Sequence, residues 1–352
     1  MSVIRLYVMN YVSKKMAGKT PYEPICGDYK IRLDANESPF SPDEKIIERF
    51  FAEISQTSLN RYPDPKSTAL REAYAKKYSL CPENIVAGNG SDELISVIMT
   101  SLLDKGDKLV VAYPDFSMYA FYAELSENPV CIFDKKDGFS LDSLSEFVKT
   151  QGARAVIFSN PCNPTSEGVC RDEVIKFIEN TPALCIIDEA YMDFWDQSIL
   201  DLSDKYENLI VLKTLSKAYG AAGLRIGFAI GHPSLINAIN VARSPYNVNT
   251  LSATFARIIL EDAEDRSAYL ASQAKKMAAK LKALLPDAEI YDTKTNFVYL
   301  KHPCAEKIYL SLLSRGIAIR YFKPCALRIT SSTDAELDVL YAEIENIIKE
   351  LY

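Results

Sequence analysis

The sequence predicts an α/β fold in which a mostly parallel sheet lies between helices, together with a smaller α+β domain. Six short, almost continuously apolar runs alternate with segments of helical periodicity. Unbroken apolar runs suit strands that are covered on both faces, and the helices between them supply the crossovers that parallel strands need. After Asn249 the pattern changes to a long helical region and three further strands, which indicates the second domain.

The predicted strands are short and lie between helical segments. Those of the larger sheet span residues 108–113, 129–133, 153–159, 183–187, 208–212 and 225–230. Later strands are predicted near residues 296–300, 316–320 and 327–330. We therefore assign residues 34–245 to a larger domain, and residues 1–33 with 246–352 to a smaller domain that includes an N-terminal arm.

Two helices carry clear start signals. Residues 41–44 (Ser-Pro-Asp-Glu) combine an N-cap, a proline at the first helical position and a glutamate at N3, followed by an apolar stripe over 46–54. Residues 333–336 repeat the capping pattern before a stripe that runs to residue 351. Each stripe needs a partner surface, so both helices are predicted to pack against other elements.

The charge pattern argues against nucleic-acid and membrane partners. The 352 residues carry a formal net charge of −7 with a pI near 5.2, and lysines and arginines are scattered, whereas a binder of polyanions needs a basic cluster. No apolar run reaches membrane-spanning length, and the N-terminal apolar stretch over 3–12 is followed by no cleavage pattern. We therefore expect a cytoplasmic protein with a small-molecule partner.

The cysteines and histidines restrict the possible chemistry. Eight cysteines are widely spaced without a C-x-x-C pair, which favours reduced thiols over disulfides or zinc. The only two histidines, His232 and His302, are isolated, so a metal cluster or a Ser-His-Asp triad is hard to build. We expect no metal site, and acid–base chemistry must use another residue type.

The most informative polar residues come directly after three of the predicted strands. They are Asn163 after the third strand, Asp188 and Tyr191 after the fourth, and Ser216 and Lys217 after the fifth. In open parallel sheets, active sites lie at the carboxyl ends of strands. The sequence therefore predicts that these five side chains share one crevice.

Asp188 and Lys217 suggest the kind of ligand. Asp188 ends an apolar run, where a carboxylate needs a cationic partner such as a protonated pyridine nitrogen, although a helix N-cap or a core ion pair is the alternative. A single lysine is usually a solvated surface charge. Lys217, however, lies among small and hydroxyl residues, which suits an amine that forms a Schiff base. Thr214, Ser216 and Arg225 then resemble phosphate ligands.

A second anion-binding signal lies at residues 86–98, which read as a strand, a glycine turn and a helix start. Such a turn directs backbone N–H groups and the positive end of the helix dipole at an anion. The segment lacks Gly-Lys-Ser/Thr, and Glu93 stands where a dinucleotide fingerprint has its third glycine. A plain helix start is the alternative interpretation.

Together these segments resemble the fold-type I pyridoxal-phosphate aminotransferases of class I and II, and most closely the histidinol-phosphate aminotransferase group. The resemblance covers nearly the whole chain. The motifs that carry it lie at residues 33–39, 61–65, 88–93, 113–119, 160–165, 188–191, 214–220, 223–227 and 327–330.

The resemblance implies pyridoxal 5'-phosphate as the cofactor, held by the larger domain. Lys217 is the catalytic residue that carries the cofactor as a Schiff base, Asp188 keeps the pyridine nitrogen protonated, and Phe116 stacks on the ring. Tyr191 and Asn163 bond the ring oxygen. The phosphate ligands implied are Gly90, Ser91, Asp92, Thr214, Ser216 and Arg225.

The resemblance further implies a homodimer with shared active sites, because Tyr62 would reach the cofactor phosphate of the other subunit. Arg328 would grip the anionic end of the substrate, Arg320 matches a second arginine of the histidinol-phosphate group, and Tyr22 would lie over the substrate. The implied reaction converts histidinol phosphate and 2-oxoglutarate to imidazole acetol phosphate and glutamate.

Three departures from the family pattern affect the substrate side and keep alternatives open. Asn-Pro-Thr-Gly reads Asn-Pro-Thr-Ser at 163–166 with Gly168 two positions later, the loop between Arg320 and Arg328 is short, and Ser331 and Ser332 replace Val-Gly. The alternatives are a threonine-phosphate decarboxylase, an aromatic amino-acid aminotransferase, and a non-catalytic module that keeps the fold. The joint presence of a lysine, an aspartate and a phosphate-binding set argues against the last.

Overall fold

A computed structural model describes residues 11–16, 18–21, 23–135 and 140–351, and it places their strands in two sheets. The strands of the larger sheet are β2 (Ile85–Asn89), β3 (Leu109–Tyr113), β4 (Val130–Asp134), β5 (Ala155–Ser159), β6 (Leu184–Asp188), β7 (Leu209–Thr214) and β8 (Ile226–Gly231). Their order is β2-β8-β7-β6-β5-β3-β4, and only β8 runs antiparallel to its neighbours. The predicted strands are therefore confirmed to within two residues at either end.

The smaller sheet contains β1 (Ile31–Leu33), β9 (Glu289–Ile290), β10 (Phe297–Lys301), β11 (Ile317–Phe322) and β12 (Ala326–Thr330). Its order is β1-β11-β12-β10-β9, with β1 and β11 parallel and the other pairs antiparallel. In the described part of the chain, the first strand thus belongs to the smaller sheet, the next seven to the larger sheet, and the last four to the smaller sheet again.

The helices in the described part of the chain pack against both sheets. They are α1 (Glu44–Ile54), α2 (Thr68–Tyr78), α3 (Gly90–Ser101), α4 (Met118–Leu125), α5 (Leu141–Gln151), α6 (Arg171–Asn180), α7 (Pro233–Ala242), α8 (Thr250–Asp262), α9 (Ser267–Leu284), α10 (Ala305–Ser314) and α11 (Asp334–Leu351). Among the described residues, none of the helices is both long and apolar enough to cross a membrane.

The larger sheet is covered on both faces, which explains its unbroken apolar strands. On one face, side chains such as Val156 and Val211 pack against α1, α2, α5, α6 and α8. On the other face, Ile157 and Leu212 pack against α3, α4 and α7. Because neighbouring strand residues point to opposite faces, both halves of each apolar run are buried. The fold class predicted from the sequence is confirmed.

The smaller sheet is covered by helices on one face only. Leu300, Ile319 and Leu327 join residues of α9, α10 and α11 in a separate core. The opposite face carries polar and aromatic side chains, among them Arg320 and Arg328. The division at residues 33/34 and 245/246 stays a prediction.

Two helix starts differ in detail from the sequence interpretation. The helix α1 begins at Glu44, two residues later than the proposed cap at Ser41 implies, and Asp43 is its N-cap without a side-chain hydrogen bond. At α11, the Glu336 backbone N–H donates to the Thr333 hydroxyl at 3.4 Å, as the capping pattern predicts. The Glu336 carboxylate accepts from the Ser332 hydroxyl rather than reaching back to Thr333.

Candidate active site

The carboxyl ends of β5, β6 and β7 bring the predicted residues to one edge of the larger sheet. These strands are parallel neighbours, with Ser159 opposite Asp188 in the register. Asp188 is the last residue of β6 and Thr214 the last residue of β7. The loops that follow carry Tyr191 and Lys217. The grouping predicted from the strand ends is therefore seen in the structure.

Asp188 is a buried carboxylate held by two donors. The Tyr119 hydroxyl donates to its Oδ2 at 2.8 Å and the Ala190 backbone N–H donates to its Oδ1 at 3.0 Å. Burial raises the pKa of Asp188 to about 6, although both hydrogen bonds favour the ionised form. Among the described residues, no lysine, arginine or histidine forms an ion pair with it. A cationic group placed here would match the buried charge.

Lys217 lies opposite a segment of the smaller sheet. Its half-buried Nζ donates to the Ala35 carbonyl at 2.8 Å and lies 5.9 Å from the centroid of the Tyr191 ring. Asn36, the residue after Ala35, donates from Nδ2 to the Tyr191 hydroxyl at 2.8 Å. Because the Tyr191 oxygen accepts this bond, its own hydrogen stays available to donate to another oxygen.

Hydroxyl groups and one arginine line the region expected to bind phosphate. The Thr214 and Ser216 hydroxyls are 3.0 Å apart, and both side chains are buried. The exposed Arg225 has a left-handed backbone conformation with φ of 55°, and its Nη2 is 3.3 Å from Asp92 Oδ2. These groups therefore lie next to the first turn of α3.

Two glycines allow this region to be built so closely. Gly90, the first residue of α3, has φ of +78°, and a Cβ there would lie 2.7 Å from Arg225 Nη2. A Cβ at Gly227 in β8 would lie 2.4 Å from the backbone nitrogen of Ser91. The start of a helix leaves N–H groups without intrahelical acceptors, so this turn can hold an anion. Glu93 accepts from the Asn89 backbone N–H at 2.6 Å and thereby caps the helix.

Phe116 and Asn163 each contact another residue of the site. The Phe116 ring packs edge-on against Tyr119 with centroids 5.5 Å apart, and Tyr119 in turn bonds Asp188. Asn163 Oδ1 accepts from Arg328 Nη1 at 2.5 Å. Its amide nitrogen is the group that could donate to a ligand.

Arg320 and Arg328 face each other across the antiparallel pair of β11 and β12. Residues directly opposite in such a pair lie on the same face of the sheet, so the two guanidinium groups are carried on one face. Arg328 is only 8% exposed, donates to the Asp34 carbonyl at 2.6 Å, and lies over the Phe297 ring. The pair is therefore suited to hold an anionic group next to Asn163.

The remaining predicted residues have different outcomes. Tyr62 is 82% exposed and stacks on Tyr246 with ring centroids 4.6 Å apart. Tyr22 lies outside the described residues. The roles assigned to individual site residues stay predictions.

The departures from the family pattern are accommodated locally. Ser166, at the usual glycine position, has φ of 65°, a conformation that favours glycine, and its hydroxyl bonds the Thr165 carbonyl. Gly168 lies against Trp195, because a Cβ there would be 2.1 Å from the indole ring. The Ser331 hydroxyl donates to the Asn296 carbonyl at 2.9 Å. These changes therefore affect the frame around the site rather than its polar groups.

Tyr119 and Asn36 are functional contacts that the sequence interpretation missed. Both lie inside motifs quoted above, but their partners, Asp188 and Tyr191, are 69 and 155 residues away in the chain. Phe116 lies before α4 and Tyr119 in its first turn, so helical spacing does not relate the two side chains. Nothing in the sequence pairs Tyr119 with Asp188 or Asn36 with Tyr191.

Residues 28–344 match the model of the family described as aminotransferase class I and II. The chain belongs to this family. The class I and II aminotransferase predicted from the sequence is thus confirmed, and so are its transaminase activity and pyridoxal 5'-phosphate as its cofactor.

Relatives with assigned activities point to one group within the family. The chain is 35% identical over 354 residues to a histidinol-phosphate aminotransferase from Thermoanaerobacter sp. (strain X514), covering 98% of this chain and 99% of that protein. It is 39% identical over 310 residues to one from Clostridium novyi (strain NT), covering 86% of each.

Solved structures confirm the fold of this aminotransferase. A histidinol-phosphate aminotransferase from Sinorhizobium meliloti in complex with pyridoxal-5'-phosphate has a TM-score of 0.86 at 24% identity and covers 97% of this chain and 98% of that one. L-threonine-O-3-phosphate decarboxylase from Porphyromonas gingivalis has a TM-score of 0.78 at 19% identity, covering 91% and 99%. The fold alone therefore does not separate the two reactions.

Proposed function

We propose that this aminotransferase transfers the amino group of histidinol phosphate to 2-oxoglutarate, giving imidazole acetol phosphate and glutamate. The single observation that carries the choice of substrate is the facing pair Arg320 and Arg328 beside the crevice. Two guanidinium groups can bind a phosphate or a carboxylate through paired, charge-assisted hydrogen bonds. The names of the relatives in Thermoanaerobacter and Clostridium support the same substrate.

The side chains at the strand ends fit pyridoxal phosphate. The buried Asp188 carboxylate would face the ring nitrogen, because its ionised form is disfavoured by burial, forms no ion pair with a described residue, and would be stabilised by a protonated pyridine nitrogen. The phosphate would be held by Thr214, Ser216, Arg225 and the first turn of α3. The glycines at 90 and 227 let these groups lie close together, because a Cβ at either position would clash with Arg225 or with the start of the helix. Phe116 would cover the ring.

When bound, pyridoxal phosphate supplies a carbonyl that combines with an amine and a ring that stores an electron pair. Lys217 Nζ would act as the general base that takes the proton from the substrate carbon and later returns a proton. The Tyr191 hydroxyl and the Asn163 amide nitrogen would donate hydrogen bonds to the ring oxygen and orient it. Both remain able to donate, because Asn36 and Arg328 use only the oxygens of these side chains. Holding the substrate anion at a fixed distance from the amine contributes to the rate by orientation.

We also propose that the functional unit is a homodimer in which Tyr62 completes the partner's phosphate site. Support comes from the exposure of the Tyr62 ring, which stacks on Tyr246 at the surface. Tyr246 is itself 40% exposed, and contiguous exposed apolar surface, unlike a single exposed side chain, marks interaction sites. The cytoplasmic location expected from the sequence stays a prediction.

Complementation tests the shared site. Lys217→Ala and Tyr62→Ala would each inactivate homodimers, but a mixed dimer contains one site with both wild-type residues. Refolding the two variants together should restore up to about a quarter of the wild-type activity, the share expected from random pairing with half of the pairs mixed and one site active in each. No recovery in verified mixed dimers contradicts the proposal that Tyr62 acts across the interface.

The substrate is tested by product analysis with histidinol phosphate, the aromatic amino acids and threonine phosphate. With 2-oxoglutarate, histidinol phosphate should give glutamate with a kcat/KM about 100-fold above that for phenylalanine or tyrosine, because only the first donor carries a phosphate for the arginine pair. Threonine phosphate should release no carbon dioxide. Carbon dioxide release as the main reaction would instead assign the chain to decarboxylation, and equal rates with the aromatic donors would remove the role given to the phosphate.

A further inference from the structure

A buried polar cluster lies on the face of the larger sheet opposite the cofactor side. We call it the rear cluster, and it consists of Tyr78, Glu189, Asp193, Lys213 and Tyr219. Successive strand residues alternate between faces, so Lys213 points away from the face that carries its neighbour Thr214. Glu189 and Lys213 are 0% and 3% exposed.

Hydrogen bonds and one longer ion pair connect the members of the rear cluster. Lys213 Nζ is 2.9 Å from Asp193 Oδ1 and 3.8 Å from Glu189 Oε2. The Tyr78 hydroxyl donates to the same Asp193 oxygen at 3.2 Å and is 2.7 Å from the Tyr219 hydroxyl. Glu189 also accepts from the Ile199 backbone N–H at 2.8 Å. The aminotransferase mechanism outlined above uses none of these side chains.

The charges in the rear cluster hold its segments together. Two carboxylates share one ammonium, and Asp193 Oδ2 is buried without a hydrogen-bond partner among the described residues. Burial lowers the pKa of Lys213, but Asp193 and Glu189 outweigh it and leave the pKa raised, so the amine stays charged. Separating the partners would leave a buried charge unpaired, which costs several kcal/mol. The residues are therefore held firmly in relation to one another.

Three members of the rear cluster lie within two residues of a side chain on the cofactor side. Glu189 follows Asp188, and Asp193 lies two residues after Tyr191. Tyr219 likewise lies two residues after Lys217. Fixing the relative positions of these segments fixes the side chains on the opposite face.

We propose that the rear cluster is a positioning unit that sets where the Lys217 amine stands relative to Asp188 and Tyr191, with Tyr219 as its connection to the lysine loop. This inference rests on the proposed role of Lys217. The loop has little slack, because Gly220 has φ of +62° and a Cβ there would lie 3.1 Å from the Phe40 carbonyl oxygen. Losing the Tyr219 hydrogen bond should therefore shift the loop rather than be absorbed locally.

The groups around the Tyr219 hydroxyl determine what its removal means. Burial raises the pKa of Tyr219, and the negative charges of Asp193 and Asp265 raise it further. Lys77 lies over the Tyr219 ring at 5.4 Å. The hydroxyl therefore stays protonated at working pH, and Tyr219→Phe removes a hydrogen bond without changing a charge.

Tyr74 supplies a matched control in the same region. It lies one turn before Tyr78 in α2, stacks on Phe228 at 4.0 Å, and its buried hydroxyl has no hydrogen-bond partner among the described residues. Tyr74→Phe thus removes a more deeply buried hydroxyl that makes no hydrogen bond. An effect seen in Tyr219→Phe and absent in Tyr74→Phe therefore reports the loss of the hydrogen bond rather than the loss of a buried hydroxyl.

The experiment compares holoenzyme in wild-type, Tyr219→Phe and Tyr74→Phe forms. The first readout is the pH midpoint of the visible absorption of the lysine-bound cofactor, which depends on the surroundings of Lys217 Nζ. We expect a shift of about half a pH unit or more in Tyr219→Phe and none in Tyr74→Phe. We also expect kcat to fall about tenfold with KM changed less than about twofold, because orientation and not substrate binding is affected.

The outcomes separate this inference from the proposed function. If Lys217→Ala loses the lysine-bound absorption while Tyr219→Phe matches wild type in midpoint and kcat, the positioning role is wrong and the function of Lys217 stands. Equal shifts in Tyr219→Phe and Tyr74→Phe would assign the effect to packing and also overturn it. If Lys217→Ala keeps the absorption of wild type, the proposed function itself fails. Thermal unfolding of the cofactor-free variants checks that all remain folded.

Discussion

The larger and the smaller sheet contribute to the crevice in different ways. The larger sheet presents side chains from the ends of adjacent parallel strands, so Asp188 and Thr214 are placed by strands buried on both faces. The smaller sheet presents Arg320 and Arg328 side by side from the middle of two strands, and Arg328 is held there by the Asn163 side chain and the Asp34 carbonyl. In the function proposed above, the strand ends of the larger sheet hold the cofactor and the arginine pair of the smaller sheet selects the substrate.

The comparison is tested most strongly at Lys217. Lys217→Ala should reduce transamination by about 10,000-fold or more, because it removes both the nucleophile and the base. Single-turnover kinetics with histidinol phosphate measures the loss. Lys149→Ala, which removes only an exposed pair with Glu146, is the control and should keep full activity. Substantial remaining turnover would place the catalytic amine elsewhere.

Asp188 should make the stability of the cofactor-free protein depend on pH. Its pKa is raised from 3.8 to about 6 by burial, so the folded state binds a proton more tightly than the unfolded state. Stability should therefore fall by about 3 kcal/mol as the pH rises through the window from 3.8 to about 6. Urea unfolding at several pH values measures this fall.

Asp188→Asn provides the check on that assignment. The amide cannot ionise, so the part of the pH dependence due to Asp188 should disappear, while pyridoxal phosphate should bind more weakly for lack of a negative charge opposite the ring. An unchanged pH profile in Asp188→Asn would show that other groups cause the fall.

On the smaller sheet, Arg328→Lys should lower kcat/KM for histidinol phosphate about 50-fold, because a lysine cannot form the paired hydrogen bonds of a guanidinium. Arg320→Lys should act mainly on donors that carry a phosphate. Steady-state kinetics with donors that carry a phosphate group and donors that lack one separates the effects of the two substitutions. Arg315→Lys, which alters surface ion pairs with Glu343 and Glu350, is the control.

The smallest expected effect concerns the glycines of the larger sheet. Gly227→Ala should destabilise the protein by about 2 kcal/mol and weaken cofactor binding, since the new Cβ meets backbone atoms of the helix start. At Gly223 a Cβ meets nothing within 4 Å, so Gly223→Ala should change stability by less than about 1 kcal/mol. Equal effects in thermal unfolding would contradict the close packing described at Gly227.

Much of the larger sheet could be predicted because its strands are apolar on both faces and end in polar motifs. The direction of β8 could not, since an unbroken apolar run looks the same in parallel and antiparallel strands. The start of α1 was misplaced because Ser41 offers cap chemistry that the fold does not use. Boundaries depend on tertiary contacts that local signals do not contain.

In the site, residues at strand ends were predictable and the contacts between distant segments were not. Lys217 and Asp188 stand out because polar groups after apolar runs need an explanation. Asn36 and Lys213 do not, because an asparagine in a loop and a lysine near a strand end are common in any sequence. Their importance depends on partners that only folding brings near.

Residues 34–36, which follow β1, connect the movement of the smaller sheet to the crevice. Within three residues, the Asp34 carbonyl accepts a hydrogen bond from Arg328, the Ala35 carbonyl accepts one from Lys217, and the Asn36 side-chain amide donates one to Tyr191. Any swing of the smaller sheet away from the larger one must break the contact on the lysine at the same moment as it moves the arginine. Opening of the cleft between the two sheets and loss of the hydrogen bond on the Lys217 amine are therefore coupled.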